Sequence, residues 1–352
     1  MKNLLKELYI PVAAVLIAII VGSIIMLITG FNPTTAYISL FIGAFGSVNN
    51  IANTLAAAVP LILTGLGVAI SFKAGLFNIG AEGQYWIGAI VGVWVGYSFT
   101  GLPWYIHIPF ALIAAMIAGG LWAGLIPGLA KAYTGANEVI TTMMMSHIAI
   151  YFSHFLLQFG PMMEKGGTIP QSPRIKESAV IPFLIKNTQL SYGIFIALAA
   201  AIFVYWLMFK TTWGFEMRAV GYNQRAARYA GMNVPLNMVF SLGLSGAFAG
   251  LAGAVQMLGV QHRLYDSFTA GYGYTAIVVA LLANNNPIGV IFAAILFAAL
   301  DTGSQYMQLN AQVPGQMADV ITGLIVFFVA AHRVAEVIKD KFAKNRKKEA
   351  QA

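Results

Sequence analysis

Two short stretches of this chain set hydrogen-bonding side chains into apolar surroundings. FNIGAEGQ (77–84) carries Asn78, Glu82 and Gln84, and GANEVITTMMM (135–145) carries Asn137 and Glu138. Polar groups inside apolar runs are expensive and as a rule face a cavity or another helix. These five, with Asn53 and Gln256, are therefore candidate contacts for a polar molecule passing through the protein. A structural reading stands beside the functional one. Glu82 and Glu138 each fall in the first turn of an expected helix, where a carboxylate meets the positive end of the helix dipole, and Asn137 is a natural N-cap. On either reading FNIGAEGQ marks a helix break near the pathway, because Gly-rich backbone at membrane depth needs burial in protein or contact with water.

Covalent chemistry finds little support. The chain has no cysteine, so a thiol nucleophile and a disulfide framework are both excluded. No Lys follows a Gly, which rules out the G-x-x-x-x-G-K-[ST] phosphate loop. Neither H-E-x-x-H nor G-x-S-x-G occurs. Asp301-Thr302-Gly303 matches the aspartic-protease tripeptide, but that chemistry needs two carboxylates sharing a site. His147 and His154 lie seven apart on one helix face, a spacing that suits packing or a hydrogen bond better than a metal.

The elements that must position these residues are membrane helices. Of the 352 residues 59% are hydrophobic and only 9% charged, where a soluble domain carries about a quarter charged residues. The expected class is an all-α integral membrane protein with about ten transmembrane helices, some of them broken. Apolar runs fall near 9–30, 51–72, 84–99, 106–129, 138–160, 191–209, 237–260, 273–284, 287–303 and 315–331, with a further short helix at 34–48. The eighth run is too short to cross alone. The first follows Lys2 and Lys6 and reads as a retained span, not a cleaved leader. With ten crossings and the N-terminus inside, 15 of the 20 Lys and Arg fall on the inner side. That bias places both termini, the segment 210–236 and the basic tail 332–352 in the cytoplasm, and 161–190 outside. The net charge of +8 sits at the ends of apolar runs, which suits lipid headgroups and argues against nucleic acid. The whole of 1–352 reads as one permease-like domain with a membrane core at 9–331.

GLGVAISFKAGLFNIGAEG (65–83) resembles MLGVQHRLYDSFTAGYG (257–273), with Gly67-Val68 matching Gly259-Val260 and Phe77-x-x-Gly80 matching Phe268-x-x-Gly271. In the topology above the first copy ends an inward span and the second an outward one. That is the pattern of an inverted repeat, a common transporter plan.

One stretch departs from the oily background. GFEMRAVGYNQRAARYAGMNVP (214–235) holds three arginines and one alanine pair. Asn223 can cap a helix over 224–230 that Gly231 ends and Pro235 prevents from continuing. Ala226 and Ala227 would keep one face flat for the close approach of a partner backbone, with Arg218, Arg225 and Arg228 around it. The alternative is an inner-surface helix whose arginines meet phosphate headgroups.

The string R-A-V-G-x-N-x-x-A-A-x-x-A-G (Arg218 to Gly231) resembles the ATPase-coupling loop of ABC-importer permeases of the branched-chain amino acid and ribose type. Arg225 stands where the generic loop has Glu. FNIGAEGQ with GANEVITTMMM is similar to the nucleoside (guanosine-type) branch. The resemblance covers about residues 10 to 335. It implies one of two permease subunits flanking a pathway, two cytoplasmic ATPase subunits that bind ATP and magnesium, an extracytoplasmic substrate-binding lipoprotein, and no cofactor on this chain. It makes Arg218, Gly221, Asn223, Arg225, Ala226, Ala227 and Gly231 the coupling residues. The expected function is import of purine nucleosides across the cell membrane. Ribose-like sugars or branched-chain amino acids remain alternative substrates. A stand-alone secondary transporter using Asp301 and Asp319, or an intramembrane enzyme, remain alternative classes.

Overall fold

A computed structural model describes residues 16–164, 166, 169–266, 268, 271–317, 319–321, 323–324 and 327–328. The start of the first apolar run, Lys2, Lys6, Lys165, parts of the last run and the basic tail 332–352 lie outside the described residues. Helices occupy each of the ten expected runs. They are α1 (Leu16–Ile28), α2 (Pro33–Phe45) in the place of the short extra helix, α3 (Val48–Lys73), α4 (Ala81–Ser98), α5 (Trp104–Ala123), α6 (Glu138–Gln158) and α7 (Gly193–Lys210). After α8 (Thr212–Tyr222) and α9 (Gln224–Tyr229) come α10 (Val234–Gln256), α11 (Tyr272–Leu282) and α12 (Pro287–Ala311). Helical turns beyond Gly315 cover the described part of the last run. Six of the described helices are long and apolar enough to cross a membrane.

Helix ends follow from local chemistry. Beyond Lys73 the chain turns at Gly75, whose φ of 73° is open to glycine, and Leu76 N–H closes back on Ser71 O at 2.9 Å. Asn284 and Asn285 take left-handed φ values of 53° and 55°. Asn286 then caps α12 by accepting from Ile288 N–H at 3.0 Å, with Pro287 at the first helical position. The amide triplet 284–286 is therefore the turn between α11 and α12. Past Ala123, α5 loosens into π turns over Gly124–Gly128 and Ala130–Thr134 around Pro127, which has no N–H to donate. A third π turn, Met257–Gln261, extends α10.

Two compact units result: residues up to Asn50 with those from Ala299, and Ile51–Ala298. In the first, α2 lies against the end of α12, where Gly43 meets Tyr306 and Gly303 meets Leu40. In the second, α4, α5 and α10 form the centre. Gly88 opposes Gly250 backbone to backbone, and Gly92 and Gly96 follow opposite Ala254 and Leu258, so α4 and α10 run parallel. Gly119 opposes Gly246, and Gly128 opposes Val239, so α5 runs against them. Small residues let helix backbones touch where no hydrophobic drive separates helix from lipid.

The long connection from α6 to α7 covers one end of this unit. Its Lys176 N–H bonds Gly96 O at 2.9 Å, Ile181 N–H bonds Leu258 O at 2.9 Å, and Ile175 N–H bonds His262 O at 3.0 Å. Asn53 accepts from Gln189 N–H at 3.1 Å. Around both copies of the weak repeat a long helix is followed by a shorter one, with non-helical residues between them at 74–80 and, among the described residues, at 262–266, 268 and 271.

Candidate functional site

The first break is tied by amides. Asn78 and Gln84 pair face to face: Asn78 Nδ2 donates to Gln84 Oε1 at 2.8 Å, and Gln84 Nε2 donates to Asn78 Oδ1 at 3.0 Å. Asn78 Nδ2 also reaches Ser245 Oγ at 2.8 Å, and its Oδ1 accepts from Gly80 N–H at 3.0 Å. Asn78 is wholly buried. Ser245 stands 11 residues into α10, about 16 Å along the axis at 1.5 Å per residue. The clamp therefore lies near the middle of the 28-residue Val234–Gln261 span. Two hydroxyls of α6 finish the turn: Thr142 Oγ1 accepts from Ile79 N–H at 3.3 Å and Ser146 Oγ from Gly83 N–H at 3.1 Å.

Glu82 faces away from this clamp. Its carboxylate accepts from Gly273 N–H at 2.7 Å and from Trp86 Nε1 at 3.2 Å. Gly273 belongs to the first turn of α11 and packs directly on Ala81 and Glu82. The N-termini of α4 and α11 thus meet at one buried carboxylate, which opposes the positive ends of both helix dipoles. Sequence reasoning assigned Glu82 to its own helix; the structure adds α11, 191 residues on. Around it Tyr85 stacks on Phe268, with centroids at 5.9 Å, and lies 6.1 Å from Tyr272. Trp86 meets Phe268 edge-on at 4.4 Å.

The remaining candidates are placed elsewhere. Asn137 caps α6, accepting from Val139 N–H at 3.0 Å, and Glu138 pairs with Lys131 at 2.8 Å. Gln256 is buried at the end of α10, and Asn53 holds the α6–α7 connection. His154 Nδ1 is in hydrogen-bond contact with the Asp266 carboxylate. No group of three or more potential metal ligands occurs among the described residues.

The basic stretch forms two helices instead of one. Thr211 caps α8, and Asn223 Oδ1 caps α9 by accepting from Arg225 N–H at 3.0 Å and Ala226 N–H at 3.1 Å. Gly231, with φ 83°, ends α9. Arg218 lies with its guanidinium 5.1 Å over the Phe209 ring, while Arg225 and Arg228 are exposed. The alanine pair does not form one flat face, because a short helix turns neighbours about 100° apart. Ala227 packs inward, 3% exposed, and Ala226 points out. Tyr222 and Tyr229 are 88% and 93% exposed. Gly221 lies against the turn after α3: a β-carbon there would meet Lys73 O, and one on Gly75 would stand 3.0 Å from Gly221 Cα. Sequence reasoning missed Gly75, Ser245, Thr142, Ser146 and Tyr85. Only the glycine after a helix-ending Lys carried a readable signal, since αL turns favour it.

Hydrogen-bonding amides, aromatic faces and a helix break inside a bundle of spans equip this chain to pass a molecule. It is a multi-pass helical membrane transport protein. The chain belongs to the branched-chain amino acid transport system/permease component family, whose sequence pattern matches residues 50–330, and it is a transport subunit, not an enzyme. It is 40% identical over 350 residues to the guanosine ABC transporter permease protein NupP of Bacillus subtilis, covering 98% of this chain and 99% of that one. It is 38% identical to the nucleoside ABC transporter permease protein NupB of Lactococcus lactis, over 97% of this chain and 95% of the other. It is 37% identical to the glucose ABC transporter permease protein TsgB13 of Haloferax volcanii, over 91% and 86% respectively.

Proposed function

We propose that this chain is one of two permease subunits of an ATP-driven importer carrying purine nucleosides across the plasma membrane. On this reading 1–352 is a single permease domain, and residues 210–236 and the tail 332–352 face the cytoplasm, as the Lys and Arg distribution favours. Two ATPase subunits hold ATP and magnesium, a second homologous permease completes the pathway, and a lipoprotein receptor delivers substrate to the opposite face.

One observation carries the reading. Gly221, inside the coupling-like stretch, rests directly on Lys73–Gly75, the turn that leads into the buried FNIGAEGQ break. A push on α8–α9 therefore has a backbone-to-backbone route to the interior. Ala226, Tyr222, Tyr229, Arg225 and Arg228 form the exposed side of that segment, and exposed Tyr and Arg are the side chains on which protein interfaces concentrate binding energy. Asn78, Gln84, Asn137 and Glu138 hold the break and its neighbour, and Glu82 lies nearest the pathway.

The experiment is reconstitution of the complete complex in liposomes, with uptake of guanosine, ribose, glucose and leucine measured beside ATP hydrolysis. Guanosine uptake that requires ATP is the expected result. Glucose uptake alone would favour the sugar reading, which the likeness to TsgB13 keeps as the second choice. Uptake by this chain alone on a proton or sodium gradient would remove the ATP-driven reading. Gly221→Val should keep the ATPase bound and hydrolysing while uptake is lost, whereas Ala226→Trp should release the ATPase. A variant Gly221→Val with normal uptake would sink the proposed route.

A further inference from the structure

Tyr85 is fully buried, and its hydroxyl has no hydrogen-bond partner among the described residues. An interior hydroxyl left unpaired is costly and calls for an explanation. Three residues earlier on the same face of α4 lies Glu82, whose carboxylate occupies the N-terminus of the 11-residue α11. The Tyr85 hydroxyl is within electrostatic range of both Glu82 and Tyr272. The Phe268 ring lies against both Tyr85 and Trp86, and the Tyr272 ring lies 6.1 Å from that of Tyr85. Aromatic faces accept any planar heterocycle. Buried sites that read single bases combine such stacking with hydrogen bonds to the base edge.

We infer that the rings of Tyr85, Trp86, Phe268 and Tyr272 form the binding site for the uncharged base of the transported nucleoside, with the Tyr85 hydroxyl bonding to that base. This rests on the functional reading above and adds to it a location and a rule of selection. A helix N-terminus ordinarily attracts anions, but here the protein's own carboxylate holds that position. A phosphate entering the site would meet Glu82 in a low-dielectric interior, where like charges repel strongly. Nucleosides pass and nucleotides do not. A hexose offers no π face to four rings, so the site also disfavours the sugar alternative.

The test uses the reconstituted complex with its ATPases and receptor. Because the Tyr85 hydroxyl bonds nothing among the described residues, Tyr85→Phe should leave assembly and the unfolding midpoint unchanged or slightly raised. It should increase the guanosine concentration for half-maximal uptake about three- to tenfold, the range of one lost hydrogen bond. Irradiation with 8-azidoguanosine should label peptides containing Tyr85–Trp86 and Phe268–Tyr272, and guanosine, but not GMP, should protect them. If the wild-type complex moves no nucleoside, the functional reading falls and this inference with it. If it moves guanosine but Tyr85→Phe leaves half-saturation unchanged and the label lies elsewhere, the inference alone is overturned.

Discussion

At the break before α4 the stabilising groups are mostly neutral and hidden, Glu138 beside the Phe77 backbone being the charged exception, whereas the break before α11 is held by charges near the surface and by a carboxylate borrowed from its neighbour. Asn78, Gln84, Ser245, Thr142 and Ser146 close the first with bonds among amides and hydroxyls, all of them buried. At the second, the N-cap residue Gly271 has φ 79° and, as a glycine, no side chain with which to cap α11, and Glu82 supplies an acceptor from α4. Its approach segment is tethered by Asp266 to His154 and Gln158 and by Arg263 to Glu164 at 2.8 Å. Buried neutral networks stiffen a structure when every member is satisfied. Part-exposed ion pairs contribute little and are screened by salt. The first break is thus built to stay and the second to yield.

The sharpest attack on that contrast is Asn78→Ala, which strands Gln84, Ser245 and the Gly80 N–H together. It should cost at least about 3 kcal/mol, given the roughly 1–3 kcal/mol of each of three stranded buried groups. A clear fall in the unfolding midpoint of the detergent-solubilised complex, with loss of uptake, is expected. An unchanged midpoint would show that the first break is no stiffer than the second. Glu82→Gln removes a charge-assisted bond worth about 1.5–3 kcal/mol. Hydrogen exchange should rise over 272–276 but not over 78–84; exchange rising equally in both would merge the two breaks into one unit. Asp266→Asn should lower stability by at most about 1 kcal/mol yet accelerate exchange across 262–266 as salt does in the wild type. Salt-independent exchange there would deny the ionic tether a role.

The smallest effect is a pH dependence. Burial, and then Arg174, hold the His262 imidazole below its ordinary range. A His with a lowered folded pKa favours the folded state above its unfolded value near 6.5, and that contribution fades as pH falls. Acidification below about pH 6.5 should therefore loosen the loop after Gln261. His262→Asn, which keeps a residue tolerant of the left-handed φ of 60°, should reduce that response. A response of the same size in the variant would assign it to other groups.

Much of this was legible in the sequence, for identifiable reasons. Long apolar runs announce helices because lipid leaves the backbone no alternative, and all ten runs proved helical where described. Caps at Asn137 and Asn223 and the stop at Gly231 were readable because their chemistry is local. What stayed hidden was pairing over distance. Nothing in FNIGAEGQ points to Ser245 or Gly273, and a six-residue helix is too short for its periodicity to say that Ala227 turns inward while Ala226 does not. The helix capped by Asn223 was expected over 224–230, while the preceding α8 was not named, because its Gly-containing 212–222 stretch carries no long apolar run.

Brevity of α11 has a consequence for how the protein is made. Its 11 residues reach about 16 Å at 1.5 Å each, roughly half of a 30 Å hydrocarbon layer, and its first turn depends on a carboxylate synthesised 191 residues earlier. Such a segment cannot partition into the bilayer by itself as it leaves the insertion machinery. It must wait at the interface or inside the translocation channel until α12 follows and α4 is in place to receive it. Biogenesis then has an obligatory order, and the moment at which Glu82 captures Gly273 marks the point where a string of inserted helices becomes a permease.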